Sequence, residues 1–410
     1  MPCVVFLKYL KITGKGEDSQ GKFEYSECKE VKKETCPHCG GEEIYAHGYY
    51  HRKVSAMGKD GARKRLKIKV KRYKCLSCGR TYTQSCEHIG LKKNQRRNQR
   101  LNDAIARECS NGVSNKKIAE KYNMSASAVE RQLHRSHENL LREQLSYPCP
   151  IVLGIDEHSI HRGNTKGHKF AVTLTDLRNH RVYEVFEGKD GKTLEPNLRR
   201  LKGREKVKMV CIDLSSPFRS IVMRLFPNAK IVVDRFHVIR LVIETFLEFC
   251  REDEPGIRWQ RGITRALRTK GENLKSKQKE LLEDLFRKNP RIKTAYEFKE
   301  ELCKLLNIRE RKRKDCPPLI EKLKEQVWLL LNDAPPIFQK LGKTLRLWFE
   351  PIIRMWRFTK SNGITEGFHR KMKLIQRRGY GYRNFQNYRL RVLIECGRLF
   401  YCYVQKRTIK

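Results

Sequence analysis

The chain has 410 residues, 89 of them Lys or Arg against 46 Asp or Glu, for a formal net charge of +43. One sign of charge over nearly the whole length excludes an ordinary small-molecule enzyme and points to nucleic acid, because Lys and Arg release counterions when they meet phosphates. Hydrophobic residues make up 39% of the chain, enough for a sizeable core, and the length suits two to four domains of about 150 residues each.

The 15 cysteines are odd in number and scattered along the sequence. Met1 to Leu10 is too short for a secretory signal and runs into charge. No apolar run approaches the ~18 residues that a membrane span needs. These features predict a cytoplasmic chain with no membrane partner. Its cysteines are then metal ligands or small core residues, not a disulfide framework.

Residues 1–90 read as a Gly- and Cys-rich module of short strands. Leu66-Lys67-Ile68-Lys69-Val70-Lys71 alternates apolar and basic, the mark of a half-exposed strand. Cys36-Pro37-His38-Cys39 and Cys75-Leu76-Ser77-Cys78 are two CxxC turns, each followed by glycine. Zn²⁺ takes four thiolates in a tetrahedron, and each turn offers two on one side. The pairs are far apart for a zinc ribbon, so a hairpin must fill the gap. His38, His47, His51 and Cys86 are substitute ligands.

Residues 91–147 open on a basic stretch, Lys92 to Arg97, and then read as helical. Ile118 and Ala119 are apolar on one helix, Asn123-Met124-Ser125 is a turn with Ser125 a good N-cap, and Val129 and Leu133 face the core from the next. This is a helix-turn-helix pattern. Its outward positions Ser127, Glu130, Arg131 and Arg135 are placed to reach a major groove of double-stranded DNA. The prolines of Tyr147-Pro148-Cys149-Pro150 then mark a linker.

Residues 148–240 carry strands. Runs at 151–155, 170–174 and 182–186 are followed by a helix, a fourth strand at 207–212, a helix, and a fifth at 231–233. The pattern predicts an α/β mixed sheet of five strands with flanking helices, its strand order unreadable. Asp156 follows the first run and Asp213 closes the fourth. Carboxylates at the ends of neighbouring strands can share a cation, and two Mg²⁺ about 4 Å apart suit phosphoryl transfer. Either aspartate alone is also explained as a helix cap. Asp234, in Asp234-Arg235-Phe236-His237, is a rival second carboxylate, and His237 is placed to orient a phosphate or carboxylate.

Residues 241–350 are Leu-, Lys-, Glu- and Arg-rich with helical periodicity and form a helical insertion. Within 351–410, Ser361 to Phe368 starts a helix with Glu366 in its first turn, where the dipole favours a carboxylate. Lys371, Lys373, Arg377, Arg378 and Arg383 follow, interleaved with Tyr380, Tyr382 and Phe385. Basic side chains among aromatic rings suit phosphates and unstacked bases.

Ser361-Asn-Gly-Ile-Thr-Glu366-Gly with the following Lys-Leu-Ile-Gln-Arg-Arg-Gly-Tyr-Gly-Tyr-Arg-Asn-Phe resembles the C-terminal catalytic block of the ISL3 family of bacterial insertion-sequence transposases. Asp234-Arg-Phe-His237, Leu153-Gly-Ile-Asp156-Glu157 and the paired CxxC turns resemble other parts of that family. The resemblance implies an RNase H-like core interrupted by a helical insertion. It also implies Mg²⁺-dependent DNA cleavage and strand transfer, with Mn²⁺ as a substitute, and a structural Zn²⁺. By position Asp156, Asp213 and Glu366 become the catalytic triad. In an RNase H-like sheet the first strand lies beside the fourth, which favours Asp213 over Asp234. The family often has two helix-turn-helix units, and one is legible here. The expected partners are the terminal inverted repeats and target DNA, with a homodimer holding both ends. Two other readings remain open: an inactive transposase-derived DNA-binding protein, and an RNase H-like nuclease without strand transfer.

Overall fold

The computed structural model describes residues 10–19, 21–28, 35–58, 61–89, 91–92, 94–161, 169–188, 190–309, 312–358, 363–379, 381–382 and 384–397. The chain divides between Arg142 and Glu143 into two compact units.

The first unit begins with an antiparallel pair, β1 (Leu10–Asp18) and β2 (Gly21–Cys28). The predicted hairpin between the CxxC turns is present as β3 (Ile44–Met57) and β4 (Arg63–Cys75), paired antiparallel from Ile44 opposite Cys75 to Met57 opposite Arg63. β2 joins β4 in parallel, and β5 (Thr81–Thr83) pairs with β4 further along. The alternation read in the sequence is observed: Leu66, Ile68 and Val70 are buried with Val54, Ala56, Ile89 and Leu91. Their basic neighbours face the other way and are partly neutralised, Lys69 by Glu27 at 3.0 Å and Lys67 by Asp18 at 3.6 Å.

Three helices follow in this unit: α1 (Gln99–Ser110), α2 (Asn115–Lys121) and α3 (Ala126–Ser146). Each start is capped by a side chain, as helix N-termini with orphan N–H groups require. Asn98 Oδ1 accepts from Leu101 N at 3.0 Å, Ser114 Oγ from Lys117 N at 3.3 Å, and Ser125 Oγ from Ala128 N at 3.2 Å. Leu101, Ile105, Ile118, Tyr122, Val129 and Leu133 are buried. Asn123 turns the chain between α2 and α3 at φ +44°, a left-handed conformation that Asn tolerates better than most residues.

The second unit is built on a five-stranded sheet: β6 (Val152–His161), β7 (Lys169–Asp176), β8 (Arg181–Glu187), β9 (Met209–Ile212) and β10 (Lys230–Val233), in the order β10-β9-β6-β7-β8. β6, β7 and β8 meander antiparallel, while β9 runs parallel to β6 and β10 parallel to β9. The first and fourth strands of the sheet are therefore neighbours. The returns to β9 and β10 pass through α4 (Gly191–Arg199) and α5 (Ser216–Leu225), the helical crossovers that parallel pairing demands. Leu153, Ile155, Val172, Leu174, Val210, Ile212 and Val232 belong to one continuous core with these helices.

Two expectations are corrected here. The first strand does not end before Asp156 but continues to His161, because β7 supplies partners as far as Lys169 opposite His161. Asp156 is thus a mid-strand residue. The segment 147–150 is not a free linker: Cys149 is buried, its N–H donates to Lys202 O at 2.8 Å, and Tyr147 O accepts from Tyr183 Oη at 2.9 Å.

α6 (Arg235–Asp253) leaves β10 and runs unbroken through the expected start of the insertion at 241. The insertion then holds α7 (Ile263–Arg268), α8 (Ser276–Lys288), α9 (Pro290–Asn307), α10 (Cys316–Asn332) and α11 (Pro336–Leu347). α12 (Phe349–Arg357) returns to the sheet, where Arg354 Nη1 donates to Ile231 O of β10 at 3.2 Å. Trp348 and Trp356 are fully buried at this return. Finally α13 (Gly363–Arg378) packs on β6 and α14 (Phe385–Cys396) on β8.

Candidate metal centres and catalytic carboxylates

The two CxxC turns converge. The Sγ atoms of Cys36, Cys39, Cys75 and Cys78 all lie within 4.8 Å of one another, with Cys36–Cys78 at 3.7 Å and Cys39–Cys75 at 3.6 Å. Four sulfurs about 2.3 Å from a central zinc are separated by roughly 3.8 Å along each tetrahedron edge. The donor set therefore fits Zn²⁺. Each turn closes on a glycine with positive φ, Gly40 at +74° and Gly79 at +69°, where a Cβ would be strained. That conformation lets Gly40 N–H reach Cys36 O at 2.8 Å and Gly79 N–H reach Cys75 O at 3.0 Å. The Cys75 thiol is drawn down to about 6, chiefly by the Cys78 backbone N–H. The proposed substitutes stand outside the cluster: Cys86 is buried in the ribbon core, and His47 and His51 meet Tyr45 and Tyr25 edge to face. His38 lies outside the four-residue cluster.

On α3, Ser127, Arg131 and Arg135 are exposed as expected, and Glu130 is half-buried. Arg97, ahead of α1, is held below the usual guanidinium range, first by burial and then by the charges of Arg135, Arg63 and Arg131. These four arginines therefore form one positive patch.

In the second unit the sheet brings Asp156 on β6 close to Asp213, directly after the adjacent parallel strand β9. Asp156 is pushed up to about 7 by burial first, against the Glu157 backbone N–H, with the charges of Asp213, Asp234 and Glu157 adding to the rise. Asp213 is raised as well, again by burial first, with Glu157 and Asp234 adding and His237 opposing. Neither acid is a helix cap: α5 is capped by Ser215, and Asp156 is within a strand. Asp213 Oδ1 is buried with no hydrogen-bond partner among the described residues. Asp234 stands at the cap position of α6, yet its side chain makes no capping hydrogen bond. Instead it lies 3.8 Å from His237 Nε2 and contributes to the same negative cluster. Buried, mutually repelling carboxylates fit a divalent cation with hard oxygen ligands.

Glu366 is not gathered with them. It is exposed in the first turn of α13, with Oε1 accepting from Arg370 Nη2 at 2.9 Å. Among the described residues the four cysteines are the one group of three or more His, Cys, Asp or Glu side chains whose ligand atoms converge as they stand. One turn after Glu366, His369 reaches Asp156, with Nδ1 3.6 Å from Oδ2. Burial holds His369 down to about 4 and the neighbouring His158 down to about 3, so both rings are neutral. Sequence reasoning assigned His369 no role. Its signal was spacing: position 369 is three residues after Glu366 and shares a helical face with it.

Of the basic C-terminal residues, Lys371, Lys373, Arg377 and Arg378 are exposed. Lys371 also donates to Glu395 O, and Arg378 lies 3.4 Å from the buried Glu395 carboxylate. Arg383 lies outside the described residues.

A four-cysteine ribbon on a strongly basic chain, with a mixed sheet that presents buried acids from adjacent parallel strands, defines a zinc-ribbon protein with a carboxylate-bearing α/β core. Residues 153–392 match the DDE-domain family model described as transposase, and residues 32–78 match the zinc-finger of transposase IS204/IS1001/IS1096/IS1165. The first match covers more than half of the chain, and the protein belongs to the ISL3 family of transposases. It is 23% identical over 371 residues, 87% of each chain, to the transposase for insertion sequence element IS1001 of Bordetella parapertussis. None of the described helices is long and apolar enough to cross a membrane.

Proposed function

We propose that this protein binds the terminal inverted repeats of an insertion sequence and catalyses Mg²⁺-dependent DNA cleavage and strand transfer. The observation that carries the reading is the pair of buried acids on adjacent parallel strands, Asp156 on β6 and Asp213 after β9, each raised by burial and by acidic neighbours. The strand order, three antiparallel strands with two parallel ones added beside the first, supports an RNase H-like core. Asp156, Asp213 and Glu366 supply the carboxylates, and Asp234 and His237 support them. These carboxylates would hold two divalent cations, Mg²⁺ or Mn²⁺, which would supply charge stabilisation for phosphoryl transfer. Glu366 must exchange Arg370 for the site. Hydrolysis of a phosphodiester at the element's end leaves a 3′-OH. That hydroxyl then attacks a target phosphodiester in line, forming a new phosphodiester as the target's own P–O bond breaks and its 3′-oxygen leaves, without a covalent enzyme intermediate.

The helices α2 and α3 act as the helix-turn-helix, with Ser127, Arg131 and Arg135 toward DNA. The ribbon at residues 1–90, the helical module at 91–147, the core at 148–240 and 351–410, and the insertion at 241–350 are the working divisions. Lys371, Lys373, Arg377, Arg378 and Arg383 serve backbone phosphates. Two ends require two active sites, hence a homodimer on DNA.

A second reading, a DNA-binding protein that does not cut, is favoured by one observation: Glu366 is exposed and paired with Arg370. Glu366→Gln separates the two. The amide keeps the shape and helix propensity but removes the charge that holds a cation. The variant should bind terminal-repeat DNA like the wild type and fail to nick it in Mg²⁺ where the wild type nicks; a wild type that binds and does not nick supports the second reading. Wild-type nicking by the variant would reduce Glu366 to a helix-start residue.

A further inference from the structure

A chain of side-chain hydrogen bonds crosses the second unit from Tyr388 on α14 to His369, whose ring stands 3.6 Å from Asp156, and one set of proton positions satisfies every link. Gln376 Nε2 donates to Tyr388 Oη at 3.2 Å. In this set the phenolic proton of Tyr388 is donated to His158 Nε2, 2.7 Å away. A neutral imidazole that accepts at Nε2 carries its proton on Nδ1. His158 Nδ1–H therefore donates to Thr173 Oγ1 at 3.0 Å. Thr173 has one hydroxyl proton and two acceptors near it, His369 Nε2 at 3.2 Å and Met372 Sδ at 3.8 Å. The imidazole nitrogen is the stronger acceptor and the closer one. His369 is thereby left with its proton on Nδ1, the atom that faces Asp156 Oδ2 at 3.6 Å. The other carboxylate oxygen, Oδ1, accepts from the Glu157 N–H at 2.8 Å.

We propose that Thr173 and His369 are positioning residues, the last links of a Tyr388–His158–Thr173–His369 relay that fixes one tautomer and orients the Asp156 carboxylate for a divalent cation. The inference rests on the reading of Asp156 as a metal ligand. His158, Thr173, His369 and Tyr388 are all buried, so solvent does not compete for these bonds. The His369 ring faces one oxygen of the Asp156 carboxylate while the Glu157 N–H holds the other. A lysine or arginine in the place of His369 would form an ion pair and weaken the ligand. The relay also joins four elements, β6, β7, α13 and α14, so that the helix bearing Glu366 is registered against the strand bearing Asp156.

The test is Mn²⁺ binding to the full-length, DNA-free protein, followed by the electron paramagnetic resonance of free Mn²⁺, beside cleavage titrated with Mg²⁺. Loss of an outer-shell partner of a metal ligand weakens metal binding by about 10–100-fold. Thr173→Val keeps the shape and removes the hydroxyl; it should weaken Mn²⁺ binding by about tenfold or more and shift cleavage to higher Mg²⁺. Thr173→Ser should restore wild-type binding. Tyr388→Phe, one link further out, should weaken binding in the same direction and decides the matter if Thr173→Val does not fold. Wild-type Mn²⁺ affinity in a folded Thr173→Val, or in Tyr388→Phe where that variant is decisive, overturns the relay. Asp156→Asn distinguishes the two levels: it should abolish Mn²⁺ binding whether or not the relay exists. Retention of binding in Asp156→Asn overturns the metal-ligand reading itself.

Discussion

Glu184 and Arg389 are 205 positions apart, and their ion pair fastens α14 to β8. Arg389 Nε lies 2.7 Å from Oε1 and Nη2 2.5 Å from Oε2, a two-pronged contact. The Glu184 side chain is 1% exposed and that of Arg389 14%. Arg389→Met fills the volume but leaves a buried carboxylate without its counter-charge. Breaking a buried pair from one side costs about 3–5 kcal/mol. For a unit of this size each kcal/mol shifts the midpoint by about 2–4 °C, so calorimetry of the full chain should show the second unit melting about 6–20 °C lower. Replacing both partners removes the orphaned charge, and Glu184→Gln with Arg389→Met should recover most of the loss. Tyr388 adjoins Arg389, so the single variant should also weaken cleavage. If Arg389→Met melts within a degree of wild type, or the double variant is no better than the single, the pair does not hold α14.

Other outcomes follow from the four-cysteine site, the proposed carboxylate site and the basic surfaces. Purified protein should contain one zinc per chain, and Cys75→Ser should lose it and unfold the ribbon while the melting of the second unit is unchanged; full zinc content in Cys75→Ser refutes the four-cysteine site. Arg131→Ala should weaken binding to terminal-repeat DNA more than to random DNA, by about 1–3 kcal/mol where a base contact is lost, whereas Arg377→Ala should weaken both alike because phosphates carry no sequence. Equal losses for Arg131→Ala would remove it from base recognition. Asp213→Asn should be inactive in both Mg²⁺ and Mn²⁺, and Asp234→Asn should retain measurable cleavage, because β10 is one strand further from β6 than β9 is. The reverse order of activity would make Asp234 the second carboxylate.

The sequence alone determined what is local. A CxxC turn sets two thiolates within four residues, so Cys36, Cys39, Cys75 and Cys78 were recognisable before their partners were placed. Alternation at Leu66, Ile68 and Val70 marked a strand because successive side chains leave on opposite faces. The apolar runs ahead of Asp156 and Asp213 marked buried strands, and Ser125 marked a helix start. Tertiary structure decided what lies across from what. Whether β6 pairs with β9, and so whether Asp156 meets Asp213, depends on which distant strands close together, and side-chain periodicity carries no record of that. The extension of β6 past Asp156 was hidden for the same reason, since its partner is β7. Glu366 lies in a first helical turn, as its sequence context indicates, but its pairing with Arg370 is a competition between neighbours that only the tertiary structure decides. The relay through Tyr388, His158, Thr173 and His369 was the least legible feature: its longest link spans 230 positions. A hydrogen bond requires atoms about 3 Å apart, and no spacing rule within one strand or helix reaches that far along the chain.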